Sequence, residues 1–310
     1  MYKAVWSEYG KLYARSVVVM KKKSIMCNYY NYRGFTLVEL LVVIAIIALL
    51  MGLLLPGLAA ARRQAKNVKD MANIRQWGVM LTMFAQDNNS KLMPGWNGGQ
   101  MWMTALMKYY KGSDDICLCP FASTVFRSNF PPTYYFRNNG IDQTFMAWGK
   151  FGVNGYPTEA AYGGTVGMYG SYGINGWAHD PPDKGVPGTY DISAANPDNR
   201  PKYWRTVDVK GTAKVPLFGD CMYDGSEPDN GDSANIIKGA ELVGSDTSIW
   251  CIDRHNGGIN MSFMDLSIRK VGLRELWKLQ WHRSYNTLIT PTDWSPWLKT
   301  YPEFKNAAGG

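Results

Sequence analysis

The chain has 310 residues, 46% of them hydrophobic and 19% charged, with a net charge of +8. That length allows one ordinary domain plus a stalk, or two small domains. The charge is uneven: residues 1–34 carry +6, which leaves +2 for residues 35–310. No later basic cluster is interleaved with base-stacking aromatics, so the composition speaks against nucleic acid as a partner.

Residues 1–34 read as a cytoplasmic leader held inside by Lys3, Lys11, Arg15, Lys21, Lys22, Lys23 and Arg33. Translation from Met1 gives a long leader, and from Met20 a short basic one. Phe35 to Leu55 follows, 21 residues long. As a helix it would reach about 32 Å, enough to cross a bilayer core. Glu39 is its one charge, and a carboxylate in hydrocarbon is costly unless it finds a partner. A cut between Gly34 and Phe35 would create an α-ammonium one turn before Glu39. The carboxylate of one subunit could then pair with the ammonium of the next.

The run Gly34-Phe35-Thr36-Leu37-Val38-Glu39-Leu40 resembles the processing site of type IV prepilins and type II secretion pseudopilins. The resemblance implies cleavage after Gly34 by a prepilin peptidase, methylation of the Phe35 amine, and assembly guided by Glu39. It also implies a pilin-like α+β fold, in which a long N-terminal helix packs under a small antiparallel sheet with large loops. The implied place is the inner membrane, crossed once, with the head in the periplasm or on an extracellular filament. The implied partners are the peptidase, copies of the chain and other pilin-like subunits.

Pro56 interrupts the helical pattern, where a proline predicts a kink or local opening. The pattern then resumes. Leu58, Ala61, Ala65, Val68, Ala72, Leu81 and Ala85 recur mostly every three or four residues, widened by Met71, Ile74 and Phe84. Arg62, Arg63, Lys66, Lys69, Asp70 and Arg75 fall on the opposite side. One helix is therefore predicted from about Thr36 to Gln86, apolar all round over 35–55 and amphipathic over 56–89.

Residues 90–310 form the head, rich in Gly, Pro, Trp and Tyr. Strands are predicted at Thr165–Tyr172, Val215–Asp220, Ile249–Asp253, Ile259–Met264 and Ser267–Val271, and a short helix at Leu273–Gln280. Long polar loops span Phe130–Gly164 and His179–Lys202. Arg254-His255 through Asp265 resembles the His-x9-Asp-Gly motif of a prepilin-like group, with His255 and Asp265 matching and Leu266 in place of the glycine. In the resembled group the Asp-Gly pair implies a hairpin turn of positive φ; a leucine there costs about 1 kcal/mol or forces another turn type. Ser171-Tyr172-Gly173-Ile174-Asn175-Gly176 resembles a further segment of that group.

Chemistry in the head is sparse at sequence level. A Ser-His-Asp set can be drawn with His255 and Asp265, but no serine sits on a Gly-x-Ser-x-Gly elbow, and a hairpin brace explains both residues. Asp220, Asp224, Asp229 and Asp232 lie in one acid-rich stretch that could hold Ca²⁺, as the C-terminal loop does in the resembled major pseudopilins. No cofactor is required otherwise. Cys117, Cys119, Cys221 and Cys251 would lie outside the cytoplasm, where one or two disulfides with three full connectivities are open. Cys117-Leu118-Cys119 lacks the spacing usual for zinc, and no His is nearby in sequence. The tryptophans fit a core and subunit interfaces better than a sugar-stacking surface. The overall expectation is a non-enzymatic filament subunit, with a membrane-tethered binding module, perhaps for polysaccharide, as the alternative.

Overall fold

The computed structural model describes residues 35–95, 102–111, 114–122, 124–125, 142–148, 169–182, 198–240 and 244–302. Gly34, the leader, Cys27, Trp96 and most of the two long loops lie outside them. The chain divides into two units, Met1–Pro56 and Gly57–Gly310.

Helix α1 runs from Leu37 to Asp87, and its helical assignment continues through Pro56. In the first unit its large apolar side chains are exposed all round, between 45% at Val43 and 78% at Leu37. Among the described residues this helix alone is long and apolar enough to cross a membrane.

In the second unit α1 buries Asp70, Asn73, Ile74, Trp77, Gly78, Met80, Leu81 and Ala85. These positions recur at three- and four-residue steps, as a helix face must. The face agrees with the predicted one at Ile74, Leu81 and Ala85 but not before them: Leu58, Ala61, Ala65, Val68 and Ala72 are exposed, and Asp70, expected on the opposite side, is fully buried. Trp77 centres the contact. It meets Trp102 and Tyr110 edge-on, with ring centroids 4.8 and 4.9 Å away. Both partners belong to helix α2, Trp102–Tyr110, which turns Trp102, Met103, Ala105, Leu106 and Tyr110 inward.

Among the described residues seven strands follow: β1 (Thr124–Val125), β2 (Met146–Ala147), β3 (Tyr172–Asn175), β4 (Pro216–Asp220), β5 (Gly225–Ser226), β6 (Gly258–Phe263) and β7 (Ile268–Gly272). β1 and β2 form a short parallel pair. The other five form one sheet in the order β5-β3-β4-β6-β7. Its pairings are antiparallel except β3 with β5, so the sheet is mixed where an antiparallel one is expected. The fold class is α+β, as the sequence implies. The parallel edge depends on Gly225: at φ 144 its backbone passes so close to β3 that a Cβ would stand 2.2 Å from the Ile174 carbonyl oxygen.

Two predicted elements change type. Ile249–Asp253 is not a strand; a 3-10 turn at Asp246–Ile249 leads into it. Cys251 N–H bonds back to Ser248 and Ile252 N–H to Trp250, so local turns take the groups a ladder would use. Leu273–Lys278 is helical but of the 3-10 kind, with Leu273, Leu276 and Trp277 buried as predicted.

The tryptophans are mostly core. Trp77, Trp102, Trp148, Trp177, Trp204, Trp250, Trp277 and Trp281 are buried, while Trp294 and Trp297 are half-buried. Their indole N–H groups staple loop carbonyls: Trp77 to Ile116 (3.0 Å), Trp102 to Asp224 (2.7 Å), Trp277 to Asp232 (3.0 Å). An indole thus fills volume and satisfies an irregular backbone together.

Candidate functional site

Among the described residues two places stand out chemically, one in each unit. In the first, Phe35 is exposed and Thr36 caps α1. Thr36 N–H and Oγ1–H both donate to Glu39 Oε2, at 2.8 and 2.7 Å, and Glu39 N–H donates to Thr36 Oγ1 at 3.2 Å. This is a reciprocal capping box, with Thr36 as N-cap and Glu39 three residues on. Glu39 thus stabilises the helix start of its own chain, a role the sequence reading did not assign.

In the second unit, a buried polar cluster lies where α1 meets the sheet. Asp70 comes from α1, Asp220 from the end of β4, and His255 from the loop before β6. His255 Nε2 lies 2.8 Å from Asp220 Oδ2 and 3.1 Å from Asp70 Oδ2. Cys119 Sγ stands 3.7 Å from the same nitrogen. Tyr172 OH donates to Asp70 Oδ1 at 2.7 Å. Asn260 reaches both acids: its side-chain Nδ2 donates to Asp70 Oδ2 at 2.8 Å and its backbone N–H to Asp220 Oδ2 at 3.0 Å.

Arg254 secures the loops around this cluster. Its Nε donates to the Thr144 carbonyl (2.7 Å), Nη1 to the Ser171 carbonyl (2.7 Å) and to Asp220 Oδ1 (3.1 Å). Its Nη2 reaches the carbonyls of Met146 (3.2 Å) and Cys221 (3.4 Å). Five donors meet five acceptors, so a fully buried guanidinium is satisfied.

The electrostatics follow. Burial opposes ionisation of His255, but Asp220 and Asp70 outweigh it and push its pKa up to about 9. Burial likewise opposes ionisation of Asp220, yet His255 and Arg254 hold its carboxyl below the usual range. The imidazolium is therefore a cation clasped between two carboxylates.

The predicted hairpin brace divides in two. Asp265 stays in its turn, accepting from Ser267 N–H (2.9 Å) and Oγ (2.6 Å). His255 leaves the hairpin and ties α1 to the sheet instead, because the two buried carboxylates attract it. Leu266 has φ 64, the left-handed turn conformation implied by the motif's glycine. Its Cδ2 packs over Gly78 of α1, 3.0 Å from where a Cβ would be. That contact offsets the backbone strain.

The acid-rich stretch points to separate partners. Asp220 belongs to the His255 cluster. Asp224 is buried. Asp229 pairs with Lys202, and its Oδ1 lies 3.3 Å from His282 Nε2. Asp232 Oδ2 accepts from Thr247 N–H at 2.7 Å and Oγ1–H at 2.6 Å, and burial raises its pKa to about 6. Among the described residues, the side chains close enough to share one ion are Asp70, Cys119, Asp220 and His255; Asp224, Asp229 and Asp232 are not among them.

The disulfide expectation is corrected. Among the described residues no bridge joins Cys117, Cys119, Cys221 and Cys251, and all four are buried. Burial in apolar surroundings raises the Cys221 and Cys251 thiols well above their ordinary range.

Comparison with known proteins bears on the amino-terminal motif. Residues 30–55 match the family model of the prokaryotic N-terminal methylation motif. A 60-residue segment is 47% identical to the type IV wide pilus major component PilA4 of Thermus thermophilus, covering 19% of this chain and 46% of that protein. The amino-terminal segment of the chain is therefore similar to that of type IV prepilins. The match spans about half of that relative. No solved structure matches the chain. Most of the head therefore rests on its own residues alone. The sequence alone does not show Asp70, Cys119, Tyr172, Arg254 and Asn260 as one cluster, although Tyr172, Arg254 and Asn260 lie inside the resembled motif segments and Cys119 is one of the four head cysteines.

Proposed function

We propose that the chain is a structural subunit of a type IV pilus or a type II secretion pseudopilus. Residues 1–34 remain in the cytoplasm, the prepilin peptidase cuts after Gly34, and Phe35 is N-methylated. The observation that carries this reading is the helix over 37–55, apolar and exposed on every side, opening on a methylation motif. Such a surface needs lipid before assembly and other subunits after it. Both Thr36 bonds end on Glu39 Oε2, so Oε1 is the oxygen that would meet the Phe35 ammonium of a neighbour. Single-pass insertion in the inner membrane then places the head in the periplasm or on the filament surface, and catalysis is not required of it.

The test is the mass of the N-terminal peptide from native membranes or filaments, together with the Glu39→Val variant. An N-methylated Phe35 start, with normal insertion but lost assembly in the variant, supports the reading. An intact leader, or a variant that works as well as the parent, would replace it with a tethered binding module.

A further inference from the structure

We propose that Asp70, Cys119, Asp220 and His255 together bind one divalent first-row transition ion, Zn²⁺ by preference, which clamps α1 to the sheet. Four segments distant in sequence each supply one donor: α1, the Cys119 turn, the end of β4 and the His255 loop. One sulfur, one imidazole nitrogen and two carboxylate oxygens all lie within 4.8 Å of one another. A tetrahedral zinc site, with Zn–S of about 2.3 Å and Zn–N or Zn–O of about 2.0–2.1 Å, has donor–donor edges of roughly 3.3–3.6 Å. The separations from His255 Nε2 bracket that range: 3.7 Å to Cys119 Sγ, 3.1 Å to Asp70 and 2.8 Å to Asp220. Small side-chain rotations reach the required edges.

The supporting groups fit as well. Tyr172 OH fixes Asp70 Oδ1 and Arg254 fixes Asp220 Oδ1, leaving each Oδ2 turned to the centre. Asn260 steers both Oδ2 atoms and is itself held through Nδ2 by Asn67 Oδ1 at 2.8 Å. Ser171 Oγ accepts from the Cys119 backbone N–H at 2.6 Å, which sets the sulfur's position. Ligating side chains at metal sites are held in this way. Binding releases two protons to solvent, one from the His255 imidazolium and one from the Cys119 thiol. Charge then closes, because a thiolate and two carboxylates carry three negative charges, matched by a divalent ion and Arg254. A soft sulfur among few oxygens disfavours Ca²⁺ and Mg²⁺, which want six or more hard ligands. All four donors are buried, which suits a closed structural site. The inference stands whether or not the chain polymerises.

The test uses the full chain in detergent, stripped with a chelator and titrated with Co²⁺ and then Zn²⁺. The expected result is one ion per chain, a thiolate-to-cobalt charge-transfer band that Zn²⁺ abolishes, and a midpoint of unfolding raised by about 5–10 °C at a hundredfold excess over Kd. Cys119→Ser removes the band and weakens binding about 100-fold, whereas Cys251→Ser, altering a buried thiol elsewhere, leaves both unchanged. X-ray absorption on the zinc-loaded parent chain gives a readout independent of any variant: one sulfur and three lighter ligands are expected. A shell of nitrogen and oxygen only, a band that survives Cys119→Ser, or no binding would overturn the proposal.

Discussion

His255→Ala is the most informative perturbation of the head. It removes the cation between Asp70 and Asp220, leaving two buried carboxylates facing each other with Arg254 on one of them. Breaking a buried pair from one side costs about 3–5 kcal/mol, a large share of the roughly 5–15 kcal/mol that holds a domain. The pH dependence gives a second, independent magnitude. The folded-state pKa is raised from 6.5 to about 9. At about 1.36 kcal/mol per unit, His255 contributes about 3 kcal/mol. That stability is present in full below the unfolded pKa and is lost as pH rises through the folded one. The assay is urea unfolding of the full chain in detergent with chelator, followed by tryptophan fluorescence at about pH 6 and about pH 9.5. The parent chain should lose about 3 kcal/mol between the two, and the variant should show a flatter dependence. A variant that costs less than about 1 kcal/mol, or that keeps the parent's pH slope, would refute the reasoning.

Arg254→Lys should cost about 3 kcal/mol or more, because an ammonium offers three donors where five acceptors wait; denaturant titration checks it. Gly78→Ala should stabilise by about 1 kcal/mol in a Leu266→Gly background but by less in the parent, where Leu266 crowds the new methyl; a double-mutant cycle on thermal midpoints measures the coupling. Trp77→Ala should destabilise by about 3–5 kcal/mol through the cavity left against Trp102 and Tyr110, read from the same titrations. Without reductant, Cys117, Cys119, Cys221 and Cys251 should all alkylate in denaturant with chelator and resist alkylation when folded; intact mass counts the adducts.

The sequence by itself determined whatever depends on neighbours along the chain. The apolar run over 35–55, Glu39 within it and the step to an amphipathic continuation fix a long helix with an exposed first half, because length and period are local properties. β4, β6 and β7 coincide with strands expected from the sequence, and of the two turn geometries open at Leu266 the structure takes the positive φ of the resembled motif's glycine. Tertiary structure decided the rest. Asp70 reads as a solvent-facing residue among lysines, and only Tyr172, Asn260 and His255, arriving from far along the chain, make its burial affordable. Cys119 has no histidine near it in sequence, yet His255, 136 residues away, lies beside its sulfur. Local pattern records which face of a helix is apolar. It does not record which buried charge has a partner, because that partner is chosen by the packing of distant segments.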